Sequence, residues 1–407
     1  MATEPFVVRG SWFVEWTDLL PVSSRNTQHA TRNTRMSNPF DPAAWAAVPF
    51  HFWSVVLFVF GSMVGSFLNV CIYRMPRGLS VVSPPSHCPH CGYSIPWFLN
   101  IPLLTWLSLR GQCANCRAPI SSRYFLVELL TGLLFLGAWL MVGRESVLLA
   151  LAFCVVLAGF VVATFIDFEH FIIPDEITIG GMVAGVLCSL AVPALHGTDS
   201  HALALLRSFI GLAVGAGVVY LVLRVGKLMF GRQNIELPPD TRIIFTETGV
   251  VLPDKELTFE DLFYRKSDVI TIEAKAVEII DRCYRNIAVR LMPEKLFLGE
   301  EAFDPESIPQ MEVVADRIVL PREAMGFGDV KFMAAIGAFL GWQATLFSLM
   351  FSSVIGAFVG LLLIALRKRE WSARLPYGPY IALAAAAWMF GGNKLVAWYL
   401  SRLTPGQ

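Results

Sequence analysis

Eight apolar runs, near residues 50–73, 124–142, 146–166, 177–195, 202–225, 330–340, 343–366 and 379–400, constrain this chain more than any other feature. About 20 apolar residues make a helix long enough to cross the hydrocarbon core of a bilayer, and a helix satisfies its own backbone hydrogen bonds there. The run at 330–340 reaches that length only if its helix starts near Gly326 or continues through Trp342. Charged residues make up 16% of the chain and hydrophobic residues 55%, whereas soluble domains carry about 25% charged residues. The pattern predicts an α-helical polytopic membrane protein with about eight transmembrane helices, surrounded by membrane lipid. The formal net charge of zero averages over local asymmetries, and no basic run interleaved with aromatics marks a nucleic-acid partner. No feature of the sequence fixes an oligomeric state.

Arginine and lysine placement gives an orientation. If the loop after the first run faces the cytoplasm, that side collects Arg74, Arg77, Arg110, Arg117, Arg123, Arg224, Lys227, Arg232, Arg367, Lys368, Arg369 and Arg374. The other side holds little beyond Arg144, His196, His201 and Arg402. This topology also sends the polar segment 1–49 across the membrane, against the pull of its own arginines. That segment has no short basic start followed at once by an apolar run, as a signal peptide would. Its polar composition predicts a flexible tail.

The remaining division follows from composition: the first run, a cysteine-bearing loop and the second run over 50–145, a membrane core over 146–230, a soluble insert over 231–322, and a second membrane core over 323–407. In the insert, acidic residues outnumber basic ones, and short alternating runs at 242–245, 269–273, 287–291, 312–314 and 317–320 are separated by turn residues. This predicts a small β-rich domain on the cytoplasmic side. It shows no catalytic constellation, and its lone Cys283 is expected to be packed.

Cys88, Cys91, Cys113 and Cys116 form two CxxC pairs separated by 21 residues. Zinc takes four soft ligands in a tetrahedron, and two such turns supply them. Disulfides are the alternative, but a loop on the reducing side of the membrane disfavours them. Four thiolates leave no open position, so the zinc would be structural. His87 and His90 are not needed as ligands. Cys71, Cys154 and Cys188 lie in or beside apolar runs, where a small buried thiol is expected.

Carboxylates beside membrane segments are costly and mark function. Asp167 closes an apolar run, and Asp329 opens another within Gly326-Phe327-Gly328-Asp329-Val330-Lys331. The topology sets both at one depth, together with Asp175. Two carboxylates sharing a site cannot both ionise cheaply, so one can activate water while the other polarises a scissile carbonyl. Gly326 and Gly328 let backbone approach a partner helix or an extended substrate. Asp175, after Pro174, suits a helix N-cap or a supporting role at the site. Lys331 is expected to be a membrane-interface anchor or to bias Asp329.

With these residues in view, the chain resembles the prepilin peptidase family of GxGD membrane aspartyl proteases. The resemblance rests on Gly65-Ser66-Phe67-Leu68-Asn69-Val70, Tyr73-Arg74, Pro76, the four cysteines, Ser122-Arg123-Tyr124, Val127 through Gly132, Asp167 through Asp175, the Gly326–Lys331 motif and Pro376-Tyr377-Gly378-Pro379. It covers roughly 50–230 and 322–400. It implies that Asp167 and Asp329 are the catalytic pair. It further implies removal of leader peptides from type IV prepilins or pseudopilins at the cytoplasmic face of a bacterial inner membrane. In bifunctional members the cysteine-loop region also N-methylates the new N-terminus with S-adenosylmethionine, although no motif identifies the residues that bind the donor. The tail and the 231–322 insert depart from the usual core.

Four other readings compete, and against one of them, a scaffold that has lost activity, the intact aspartate pair argues. An intramembrane protease for ordinary transmembrane helices would have no use for the cysteine loop. A peptidase without methyl transfer is the narrower version of the same reading. A proton-coupled transporter would carry its carboxylates mid-span rather than at span ends.

Overall fold

The computed structural model describes residues 49–253, 255–263, 268–279, 282–308, 310–321, 326–366 and 375–403. The expected flexible tail and the cluster Arg367, Lys368, Arg369 and Arg374 lie outside the described residues. Six helical stretches among those described are long and apolar enough to cross a membrane, so the chain is a polytopic membrane protein.

Helix α1 spans Phe50–Arg74 and short helix α2 spans Leu104–Ser108; α3 runs Ser122–Val142, α4 Val147–His170, α5 Asp175–Ala191 and α6 His201–Phe230. The hydroxyls of Ser121, Ser146 and Ser200 accept from the first free amides of α3, α4 and α6, which fixes where those helices begin. Phe171, with φ of 55°, ends α4 in the left-handed region, and Pro174 then blocks its continuation into α5.

The predicted sixth and seventh runs form two helical limbs, together labelled α8, Phe327–Ala365, that meet at Gly341 with φ 82° and ψ 174°. The break is a reversal. A Cβ on Gly337 would lie 3.0 Å from Thr345 Oγ1, whereas a straight helix sets residues eight apart about 12 Å from one another. The first limb, residues 327–340, is about 21 Å long, shorter than the roughly 30 Å of a hydrocarbon core. It is buried on nearly every side, with Met333, Ile336 and Ala338 at 0–1% exposure. Helix α9 (Gly378–Ala387), a π turn (Trp388–Gly392) and α10 (Asn393–Leu403) make the last stretch. Helix α5, at 17 residues, falls just short of the length that marks the other spans.

Two helix pairs are the most extensive: α6 with α8, and α1 with α3. In lipid, helices associate through close packing of small residues rather than through water exclusion. Gly211 and Gly337 meet so closely that a Cβ on Gly337 would fall 2.0 Å from the Gly211 carbonyl oxygen.

The insert is an eight-stranded antiparallel sheet in the order β3-β2-β1-β8-β4-β5-β6-β7. The strands are β1 Arg232–Phe245, β2 Gly249–Leu252, β3 Lys255–Thr258, β4 Ile270–Ile279, β5 Arg282–Met292, β6 Lys295–Leu298, β7 Glu301–Phe303 and β8 Met311–Pro321, with one helical turn, α7, at Phe259–Leu262. Two of the expected runs, 312–314 and 317–320, belong to the single strand β8. Ile243, Phe245, Ile272, Val277, Val313 and Ile318 fill its core. The first and last strands pair along their length, with Arg232 opposite Pro321, so the insert leaves the membrane core and returns to it at one point. Cys283, expected to be packed, is exposed because β5 turns its first residues to solvent.

The Gly211–Gly337 contact sets a stability test. Gly337→Ala should lower the thermal midpoint in detergent, with a loss of about 1–3 kcal/mol from overpacking. Gly217→Ala, on α6 with open space at its Cα, should be neutral or stabilising, because alanine favours helix by up to about 1 kcal/mol over glycine. Equal melting shifts for the two variants would refute the close approach.

Candidate active site

Asp167 lies in the last turn of α4 and Asp329 in the first turn of α8, and both are buried, at 5% and 8% exposure. Both open toward the α4–α5 turn: Ile173 lies beside Gly378, the partner of Asp167, and beside Gly328, the neighbour of Asp329. No ion pair neutralises either carboxylate among the described residues. Their neighbours supply dipoles instead. The Gly378 amide, at the start of α9, donates to Asp167 Oδ2 at 2.8 Å. The Gly326 amide, at the N-cap of α8, donates to the Asp329 carboxylate.

A side chain larger than hydrogen does not fit at Gly378, whereas one at Gly328 would make only ordinary contact. A Cβ on Gly378 would lie 2.8 Å from Asp167 Oδ2 and 3.2 Å from Ile173 Cδ1, and one on Gly328 would lie 3.5 Å from Ile173 Cβ. Ile173, buried in the α4–α5 turn, therefore touches the segment before each of α8 and α9 and helps hold the carboxylates together. Two buried carboxylates so placed can share a proton, hold a water and polarise a carbonyl.

Asp175 is not part of that pair. Pro174 is the N-cap of α5 and Asp175 its first residue, with no capping hydrogen bond from its side chain. Its Oδ1 instead accepts from Lys331 Nζ at 2.6 Å. Lys331, expected as an interface anchor, thus ties the start of α8 to the start of α5, and its ammonium also lies 5.4 Å over the Phe327 ring.

The four cysteine sulfurs lie within 4.8 Å of one another. Cys88 Sγ and Cys116 Sγ are 3.8 Å apart, close to the separation of roughly 3.8 Å between the corners of a zinc tetrahedron with about 2.3 Å bonds. Each CxxC occupies a tight turn closed by an isolated bridge, His87 to Ser94 and Gln112 to Pro119. The amides of Cys116 and Asn115 pull the Cys113 thiol down to about 6. The backbone at Ala118 favours the Cys116 thiolate, but burial and the three adjacent sulfurs outweigh it and push that thiol up to about 11. The donor set suits a thiophilic cation with four ligands. His87 and His90 stand outside it.

A third cluster has no sequence signal beyond the motifs that contain it. Glu128, buried on α3, accepts the Leu103 amide at 2.8 Å and is reached by the Ser66 hydroxyl of α1. Leu103 has φ of 63°, so the carboxylate fixes a strained start to α2. One turn away, Asn69 Nδ2 donates to the Tyr124 carbonyl at 3.0 Å, while its Oδ1 is buried without a partner. Arg123 pairs with Glu169, two residues beyond Asp167, and so joins the first turn of α3 to the last turn of α4. Only the fold brings these residues together, since Leu103 and Glu128 are 25 residues apart and Arg123 and Glu169 are 46 apart.

Glu128→Gln should keep an acceptor for Leu103 and leave melting nearly unchanged. Glu128→Leu should strand that amide and cost about 1–3 kcal/mol. Thermal unfolding in detergent reads the difference, and equal losses would remove the anchoring role.

A family model described as "Bacterial Peptidase A24 N-terminal domain" matches residues 59–142, and one described as "Type IV leader peptidase family" matches 154–236 and 307–361. The break in the second match falls in the inserted sheet. The chain is similar to a prepilin leader peptidase/N-methyltransferase of Aeromonas hydrophila, 30% identical over 382 residues, covering 87% of this chain and 96% of the relative. A protein of the same description from Myxococcus xanthus is 42% identical over 197 residues, 44% of this chain and 57% of the relative. No solved structure matches.

Proposed function

The chain belongs to the type IV leader peptidase family, and we propose on that premise that it is an aspartyl endopeptidase and N-methyltransferase of prepilins or pseudopilins. It removes the leader peptide and methylates the new N-terminus. The observation that carries the peptidase reading is the burial of Asp167 and Asp329 at the ends of two membrane helices that meet around Ile173. In the reaction the ionised carboxylate takes a proton from water, the water oxygen attacks the scissile carbonyl, and the protonated partner donates a hydrogen bond to the developing oxyanion. The Gly378 amide fixes Asp167 for this work. Gly326 and Gly328 leave room beside Asp329 for an extended peptide, and the Asp175–Lys331 pair supports the site from outside.

The reading places eight spans in a bacterial inner membrane, counting α5 and both limbs of α8, with the active site toward the cytoplasm. Arg74, Arg77, Arg110, Arg117 and Arg123 support that orientation. The four cysteines hold a structural zinc. S-adenosylmethionine supplies the methyl group; the Glu128 carboxylate and the unpartnered Asn69 Oδ1 are buried acceptors that suit its ammonium and hydroxyl donors. The inserted sheet is accessory to the chemistry.

The direct test incubates the purified chain in detergent with a prepilin, with and without S-adenosylmethionine, and weighs the products. Asp167→Asn or Asp329→Asn should abolish cleavage in a folded, inserted protein, because asparagine keeps the shape but cannot supply an ionised base. Asp175→Asn should be much milder. Near wild-type cleavage by either of the first two variants would remove the dyad. Metal analysis should find about one zinc per chain, lost in Cys113→Ser, with methylation or docking impaired before cleavage. A chain with no metal and four freely titrating thiols contradicts this. Joining Gly231 to Pro321 through a short Gly/Ser linker should preserve cleavage, since the ends of the insert are adjacent and loop length costs little entropy. An inserted but inactive deletion variant would make the sheet part of the active site.

A further inference from the structure

Below the aspartates the surface carries an apolar groove of about 180 Å³, bounded by α4, α5 and α8. Its wall on α8 is formed by Phe332, Ile336 and Phe339, and its far end on α4 by Val155. Its floor opens at Gly159 and Gly180, where a Cβ would meet nothing within 4 Å. At 1.5 Å per residue, Phe332 lies about 4.5 Å and Phe339 about 15 Å along α8 from Asp329, and Gly159 about 12 Å along α4 from Asp167. The groove therefore begins within one turn of Asp329 and about two turns from Asp167, and descends along the same two helices that bear them. Glu176, at the start of α5, adds a single acidic group to an otherwise apolar lining.

We infer that this groove seats the apolar helix of the membrane-borne substrate, directly beyond the bond held between Asp167 and Asp329. The occupant follows from continuity with the aspartate site. A chain lying extended across the two carboxylates and continuing as a membrane helix has to pass down the adjoining faces of α4 and α8. Helices in lipid dock where small residues let side chains interlock. The volume suits one or two large apolar side chains entering between Phe332 and Phe339, over the bare backbone at Gly159 and Gly180. In this arrangement the groove measures position along the substrate: seating the helix sets which peptide bond reaches the carboxylates. The inference rests on the peptidase reading and assigns it a second contact.

Gly159→Leu and Gly180→Leu, singly and together, put apolar side chains into the groove from positions where the Cβ itself meets nothing within 4 Å. Leucine also favours helix over glycine, and neither residue belongs to the catalytic pair. Two substrates separate the outcomes: a full-length prepilin in detergent micelles, and a short water-soluble peptide containing the cleaved bond and its immediate flanks. The double variant is expected to raise KM for the full-length protein at least tenfold, leave kcat within twofold, and cleave the short peptide at the wild-type rate. An unchanged KM for the full-length protein overturns the inference. If that unchanged KM comes with a shift in oligomeric state, the groove belongs to a second copy of the chain; if it comes with loss of co-purified lipid, the groove belongs to lipid. Equal slowing of both substrates also overturns it, because the change would then act on the carboxylates. Failure of the unmodified protein to cut either substrate would instead refute the peptidase reading itself.

Discussion

The arrangement depends on the desolvation of two carboxylates at the mouth of a membrane core. Withdrawing an ionised carboxylate from water costs several kcal/mol unless something compensates, and no cation compensates here among the described residues. The Gly378 amide holds Asp167, and the turn at Gly326 holds Asp329. Two carboxylates at one site would share one proton. The group that holds Asp167 arrives on α9, so α4 and α9 must converge for that aspartate to be tolerated, whereas the turn that holds Asp329 belongs to α8 itself. Ile173 in the α4–α5 turn fills the space that this convergence leaves.

A second constraint comes from the backbone. The reversal at Gly341 interrupts a helix within the membrane core, where freed carbonyls have no water to bond. The structure answers with side chains. The Ala338 carbonyl accepts from Ser208 Oγ at 2.7 Å and from Ser189 Oγ at 3.1 Å, and Ser189 also meets His196 Nε2 at 2.8 Å. Arg207 donates to the His196 carbonyl at 2.6 Å. With those groups satisfied, the short limb of α8 can turn back at Gly341 and present Asp329 at the mouth while α6 packs against it through Gly211. The inserted sheet and the cysteine loop avoid this difficulty because each is stabilised locally, the sheet by its own core and the loop by four convergent sulfurs.

Much of this was legible in the sequence because the signals are local. Apolar length marked the helices, alternation marked the sheet, and the CxxC spacing marked the cluster that the fold assembles. Asp167 and Asp329 stood out because a carboxylate beside an apolar run has few inexpensive explanations. The motif residues Gly378, Glu128, Asn69 and Arg123 carried no individual roles, since glycine and single polar residues have many uses and their partners lie 25 to 211 residues away. The pairing of Lys331 with Asp175 was equally invisible, as lysine at a helix mouth ordinarily reaches for the interface.

A membrane protein with a β-rich insert, four paired thiols and two suspect aspartates could be read from local pattern. Each of these follows from a run, a period or a spacing within one segment. The tertiary structure settled that Asp175 pairs with Lys331 instead of capping α5, that the two limbs of α8 fold back on each other at Gly341, that Cys283 faces solvent, and that a groove runs between α4, α5 and α8. Those outcomes are settled by which helices touch. In lipid that choice turns on backbone approach at particular glycines, measured in tenths of an ångström, and on satisfying each buried polar atom across the interface; no period in the sequence encodes either.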